Sequence, residues 1–218
     1  MSALLSNPSE APPVATDRQA ERRAIRRAEN RTEILDAAER VFGEDGIRSG
    51  SMRKIATDSG FSTAAIYLFF ENKQDLVAEL LNRRGGELIA ALDADAALDL
   101  NPIDKLHHIV DTTVAFFTER PSFAQLLRHI RGAGAITGSA IAEFDADASP
   151  GFHQAMSILA SIIADGQQQG EIRAGNPSAL AHFYSVLVNE YILLGMANDA
   201  HPLTSQQFHE LVDGALRR

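Results

Sequence analysis

The stretch GFSTAAIYLFFENK, Gly60 to Lys73, sets four bulky side chains in a row behind a glycine turn: Tyr67, Leu68, Phe69 and Phe70. Ser62 has the side-chain oxygen that suits a helix N-cap, so a short helix is predicted over residues 63–70. Gly60 stands where the chain must turn sharply, and glycine tolerates a positive φ there. Four residues apart, Ile66 and Phe70 share one helical face and can enter a core. Thr63, Ala64, Tyr67 and Leu68 then fall on the opposite side, free for a partner. Just upstream, Ser51 caps another short helix carrying Met52, Ile55 and Ala56 and ending at Gly60. Two short helices joined by a tight glycine turn have the size of a helix-turn-helix.

Outward from this pair the chain reads as helix almost throughout. Upstream, Ile34, Leu35, Ala38, Val41 and Phe42 form a stripe with three- and four-residue spacing, stopped by Gly46. Downstream, a longer helix starts at Lys73 with Leu76, Leu80 and Leu81 on one side. Asn101-Pro102, Arg120-Pro121 and Asn176-Pro177 mark helix starts with proline in the first turn. Helices follow at about 102–119, 121–131, 151–170, 177–197 and 204–217, with 131–140 and 143–151 read as loop. No alternating strand pattern and no internal repeat is visible. The fold class is therefore all-α. An N-terminal three-helix unit with an arginine-rich extension (17–75) is followed by a larger helical domain (76–218), behind a disordered Pro/Ser/Ala-rich tail at 1–16.

Composition limits the function. The 218 residues are 45% hydrophobic and 22% charged, with no cysteine, which removes disulfides and cysteine-ligated metals. No apolar run reaches the length of a membrane span, and the N-terminus lacks the pattern of a signal peptide, so a cytoplasmic location without membrane contact is expected. The net charge of −9 is unevenly spread. Residues 1–84 hold 13 basic and 13 acidic side chains, whereas 85–218 hold 7 basic and 16 acidic, the whole of the imbalance. Within the neutral part, Asp17–Arg31 carries six arginines against three acids. That segment is either a solvated charged helix or an arm for nucleic acid.

The free side of the second short helix suits DNA. Small residues at its start (Ser62, Thr63, Ala64, Ala65) let it approach the major-groove floor. The Tyr67 hydroxyl can bond a phosphate, Leu68 lies beside it, and Lys73 adds a charge at the next helix start. Arg53 on the preceding helix can reach a base edge or the backbone. Arg22, Arg23, Arg26 and Arg27 can add phosphate or minor-groove contacts.

These residues together resemble the DNA-binding domain of the TetR/AcrR-type family of bacterial transcriptional regulators. The resemblance rests on Ile34-Leu35-x-Ala37-Ala38, Phe42, Gly46, Ile55-Ala56, Gly60-x-Ser62, Ile66-Tyr67-x-x-Phe70 and Lys73-x-x-Leu76, over residues 31–81. Three positions depart from the family pattern: Ala64-Ala65 replaces a frequent Gly-Thr, Phe69 replaces a frequent tyrosine or histidine, and Gly50-Ser51-Met52 replaces a usual threonine. They bear on which operator is read. The resemblance implies a homodimeric regulator, most often a repressor, on a palindromic double-stranded operator and released by a small-molecule effector. The alternative is a helical ligand-binding or interaction protein whose DNA-reading face has decayed.

In the larger domain, Phe183, Tyr184, Leu187, Tyr191, Phe208, Leu211 and Val212 are the candidate dimer face, with internal packing as the competing reading. Phe116, Phe117, Phe123, Leu127, Arg128, Phe152 and Met156 are the candidate effector pocket, with His108, His129 and Arg131 as further polar anchors. Plain core is the competing reading for each apolar residue. No cofactor or metal is indicated. Asp104-x-x-His107-His108-x-x-Asp111 lacks visible partner ligands and reads as a solvated face. The Asp-Ala-Asp-Ala stretches at 93–96 and 145–148 lack the pattern of a calcium loop. No nucleophile elbow, phosphate loop or dinucleotide fingerprint is present, so an enzyme is not expected.

Overall fold

A computed structural model describes the backbone of residues 15–137, 150–197 and 203–218, with side chains over 18–130, 151–195 and 203–218. Among these residues nine helices follow in order: α1 (Ala15–Ser49), α2 (Met52–Ser59), α3 (Thr63–Ile66), α4 (Lys73–Ala96), α5 (Pro102–Glu119), α6 (Pro121–Thr137), α7 (Pro150–Gln169), α8 (Pro177–Ala197) and α9 (Ser205–Leu216). The only extended pairing there is an isolated antiparallel bridge, Ile172 with Arg217.

The caps explain most boundaries. Asn72, Asn101 and Asn176 side chains accept from the amides of Asp75, Asp104 and Ala179 at 2.8, 2.9 and 3.1 Å. Thr204 and Gln207 form a reciprocal capping box at the start of α9. Gly46 (φ 75°) breaks α1 before its last turn, and Gly60 (φ 73°) terminates α2 in the left-handed region.

Several boundaries differ from expectation. Helical structure starts at Ala15, so 15 and 16 are not part of a tail; residues 1–14 lie outside the described residues. The arginine-rich segment continues α1 rather than forming a separate arm, because Ala, Arg and Glu favour helix and no breaker intervenes. α3 ends at Ile66, not at 70, with Leu68 and Phe69 amides turning back to the carbonyls of Ala65 and Ile66. α6 runs on to Thr137 through the segment read as loop, and the two glycines at 132 and 134 do not stop it. The predicted loop at 143–149 lies outside the described residues, while 150 and 151 already belong to α7.

Two cores are present. The first gathers Ile34, Leu35, Phe42, Ile55, Ile66, Phe70, Leu76 and Leu80, together with Phe116, Phe123, Leu126 and Ile130 from α5 and α6. The second joins α4, α5, α7, α8 and α9 through Leu92, Leu106, Ile109, Ile163, Tyr184, Tyr191, Phe208 and Val212. The expected division at 75/76 thus falls inside α4, and the reading unit shares its core with α5 and α6.

α1 and α6 touch backbone to backbone. A Cβ on Gly43 would lie 2.5 Å from the Ser122 carbonyl oxygen, and a His129 ring nitrogen sits 3.1 Å from the Gly43 carbonyl. Gly43→Val must push the helices apart, at a cost of roughly 1–3 kcal/mol. A fall in Tm of about 2–4 °C per kcal/mol is expected in thermal unfolding. An unchanged Tm would show that the contact yields freely.

Candidate nucleic-acid interface and effector domain

The reading turn is set by backbone hydrogen bonds and held by arginines. Ser62 Oγ accepts from the Ala65 amide at 3.1 Å, fixing the entry of α3. Ile66 and Phe70 are buried in the first core. The next residues are thrown outward: Tyr67 is 51% and Leu68 73% exposed. Ser62 and Ala64 are exposed, Thr63 and Ala65 half-buried, and Arg53 on α2 is exposed. The expected split of GFSTAAIYLFFENK between a core side and a free side is what the coordinates contain.

Phe69 behaves differently from its neighbours. Half-buried against the first core, it is covered by the Arg27 guanidinium at 5.4 Å from the ring centroid. Arg27 also donates to the Leu68 carbonyl at 3.3 Å. One turn on, Arg31 forks onto the Glu79 carboxylate, donates to the Phe69 carbonyl at 2.9 Å and lies over the Phe70 ring at 4.6 Å. The hydrogen bonds it donates to Glu79 hold the Arg31 guanidinium above its usual pKa, outweighing burial. In the sequence Arg31 reads as the end of the arginine-rich segment and Glu79 carries no signal, because 48 residues separate the two partners.

Lys73 is a correction. Its ammonium donates to the carbonyls of Ile47 and Gly50 at 2.8 and 3.2 Å, with Arg48 O at 3.5 Å. Those carbonyls are left open where α1 ends, so Lys73 closes the α1–α2 connection instead of offering a charge to phosphate. Arg22, Arg23 and Arg26 are exposed on the α1 extension, with no hydrogen bond or ion pair among the described residues.

The candidate pocket residues are divided between α5–α6 beside the first core and α7 beside the second. Phe116, Phe117 and Phe123 pack on one another: Phe117 and Phe123 stack at 6.0 Å, and Phe116 meets each edge-on. These rings and Leu127 belong to the first core because α6 lies on α1 there. Arg128 is exposed, while Phe152 and Met156 are half-buried on α7, Met156 against the second core. His129 is occupied with Gly43, and the Arg131 side chain lies outside the described residues. Beside the rings, Arg83 and Arg84 of α4 meet Asp36 and the buried Glu39 of α1, and Glu87 joins Arg84 to Arg120. This network ties α1, α4 and the α5–α6 corner.

The candidate dimer face divides in two. Tyr184, Tyr191, Phe208 and Val212 are buried within the subunit: the Tyr184 hydroxyl donates to the Leu106 carbonyl at 2.6 Å, and Tyr191 stacks on Phe208 at 4.1 Å. Burial pushes the Tyr184 phenol well above its usual pKa, with Asp111 and Asp95 adding to the effect. The other three point outward, Phe183 at 68%, Leu211 at 54% and Leu187 at 40% exposure, and Val186 and Leu194 extend that surface. Helical period explains the division: 181, 184, 188 and 191 share the inner side of α8, whereas 183, 187 and 194 share the outer.

The histidine-containing face of α5 has partners after all. His107 meets Asp213 at 2.9 Å, Asp111 meets His209 at 3.1 Å, and the two imidazoles stack at 4.4 Å, 6° from parallel. The signal was a repeated pattern, His107-His-Ile-Val-Asp111 and His209-Glu-Leu-Val-Asp213, on helices that cross antiparallel. His107 has hydrogen-bond geometry with Asp213, whereas His209 Nε2 lies only at ion-pair distance from Asp111, and the stacked rings fasten α9 to α5. Among the described residues no three His, Cys, Asp or Glu side chains form a metal site, and no helix is long and apolar enough to cross a membrane.

Comparison with known proteins agrees with this geometry. Residues 34–80 match the model of the family described as bacterial regulatory proteins, tetR family. The fatty acid metabolism regulator protein of Bacillus subtilis (strain 168) is 27% identical over 150 residues, 68% of this chain and 74% of that protein. The HTH-type transcriptional regulator AcrR of Shigella flexneri is 36% identical over 93 residues, which is 39% of this chain and only 42% of that protein. Among solved structures, FadR from Bacillus subtilis in complex with stearoyl-CoA superposes with a TM-score of 0.69 at 22% identity, covering 84% of this chain and 94% of that one. A SmeT–triclosan complex gives 0.71 at 19% identity, over 87% and 92%. At these identities the structural likeness establishes the shared fold.

Proposed function

We propose that this chain, which belongs to the tetR family of bacterial regulatory proteins, is a homodimeric, ligand-responsive repressor of a palindromic operator. The observation that carries the reading is the turn after Ser62. There Tyr67 and Leu68 stand exposed next to Thr63, Ala64, Ala65 and Arg53, while Ile66 and Phe70 anchor the turn from behind. α3 enters the major groove, and Arg22, Arg23 and Arg26 on the helical extension follow the phosphates, while Arg27 holds the turn through the Leu68 carbonyl. The exposed apolar stripe of α8 and α9 meets its copy across a two-fold axis, which sets the spacing of the two reading heads.

The effector binds in the α4–α9 domain. It releases DNA only if it binds the DNA-incompetent arrangement more tightly than the competent one. Two contacts supply a path between the sites, the close α1–α6 crossing at Gly43 and the arginine–carboxylate network around Arg84. Structural neighbours crystallised with stearoyl-CoA and with triclosan favour an effector with a substantial apolar part.

A gel-shift with the DNA flanking the chain's own gene tests the reading. A specific complex that survives excess competitor DNA is expected; its absence even at low salt would favour a protein that has lost DNA reading. Tyr67→Phe removes one phenolic hydroxyl and should weaken binding by about 1 kcal/mol, some fivefold, evenly across operator variants. A changed base preference in the same titrations would overturn the phosphate role of Tyr67.

A further inference from the structure

One carboxylate of the larger domain is buried without adequate company. Along α4 the inner stripe runs Ile89, Leu92, Asp95, so an acid occupies the turn where an aliphatic residue would continue the second core. Asp95 is 8% exposed, and its Oδ2 has no hydrogen-bond partner among the described residues. Its Oδ1 lies 3.8 Å from Nδ1 of His108, within ion-pair range but too far for a hydrogen bond. Two polar side chains of the adjoining helices are used elsewhere: Lys105 Nζ donates to the Ala96 carbonyl at 2.8 Å, and the Tyr184 hydroxyl to Leu106. Asp111, the other carboxylate acting on Tyr184, is paired with His209.

A carboxylate in this position loses its hydration and recovers little of it from the protein, so it weakens the fold. The partner that restores the loss is a cation with hydrogens to donate, since charge-assisted bonds are about twice as strong as neutral ones. We propose that Asp95 is the polar contact of the effector site, and that the effector is an apolar molecule carrying a protonated amine. The proposal rests on the ligand-responsive reading above and adds the ligand's chemical class. It also separates this chain from its stearoyl-CoA-bound neighbour, because a phosphate-bearing or carboxylate-bearing ligand would meet Asp95 with like charge.

Thermal-shift titration of the full chain with primary alkylamines from butyl to dodecyl, each against the carboxylate of equal length, tests this. At least one amine should raise the Tm of the wild-type protein, and its carboxylate counterpart should not. Asp95→Asn and Asp95→Leu should each raise the Tm of the ligand-free protein by at least about 2 °C, because an unsatisfied buried charge is gone. Both should weaken amine binding about tenfold or more. The proposal is overturned if no amine stabilises the wild type, if carboxylates do so equally well, if Asp95→Asn keeps the amine response, or if both variants lower the ligand-free Tm. Its failure is distinct from failure of the regulator reading. A protein that binds its operator but ignores amines loses only this proposal, whereas one that answers amines through Asp95 yet binds no DNA specifically loses only the regulator reading.

Discussion

The double variant Phe183→Glu with Leu187→Glu is expected to be a folded monomer that no longer forms a stable complex with its operator. Both side chains lie on the outer stripe of α8 with Val186 and Leu194, and Leu211 of α9 is exposed as well. A helix that is apolar on both sides is spending its second side on something, and a copy of itself is the self-complementary solution. Burying such a side chain contributes roughly 1.5–3 kcal/mol, and two-fold symmetry counts each substitution twice. Four lost anchors then weaken dimerisation by at least about 6 kcal/mol, roughly four decades in Kd, before like-charge repulsion is added. Sedimentation velocity and a gel-shift check the two halves of the expectation. A double variant that remains a dimer would place the interface elsewhere. Tyr184→Glu or Tyr191→Glu is the control: those residues are inside the subunit, so the result should be loss of fold, read by circular dichroism.

The same stripe shows where the sequence was legible and where it was not. Ser51, Ser62 and Asn101-Pro102 are local chemistry, and each marks a helix start to within a residue. Ile66 against Tyr67 and Leu68 could be sorted because a single turn has few ways to face a core. On α8, however, Phe183, Tyr184 and Leu187 are equally apolar, and only the position of α5 and α9 decides which of them turns inward. Phe116, Phe117 and Phe123 pose the same question: an aromatic cluster looks alike in sequence whether it lines a cavity or packs α6 against α1, and here the rings join the first core. Lys73 and Arg31 failed for a different reason. Their partners, Ile47 and Gly50 in one case and Glu79 and Phe69 in the other, are 23 to 48 residues away, and a charge far from its partner in sequence reads as free. His107 and His209 differ, because their shared His-x-x-Val-Asp pattern is visible in the sequence itself.

Sorting those arginines sharpens what the extension of α1 does. Arg27 and Arg31 bind the carbonyls of Leu68 and Phe69, so they hold the reading turn in place and are not spare charges. Arg22, Arg23 and Arg26 make no such contact among the described residues and remain exposed on a continuous helix rooted in the first core. A rigid helix presents its charges at fixed distances from the recognition turn and loses little entropy on binding. Replacing Arg22, Arg23 and Arg26 together with glutamine leaves helix propensity and the Leu68–Phe69 clamp intact. If each arginine neutralises one phosphate, the slope of log K against log salt should become shallower by about 0.9 per residue, nearly three units in all. At low salt that is a loss of several decades in affinity, with operator preference preserved because phosphate carries no base information. An unchanged slope would show the three arginines to be solvated. A flatter slope accompanied by altered base preference would instead put at least one of them in the minor groove, reading its width. A comparison variant, Arg27→Gln, should act through the turn and not through counterions: affinity falls while the slope stays unchanged, well short of the roughly 0.9 that a lost phosphate contact gives.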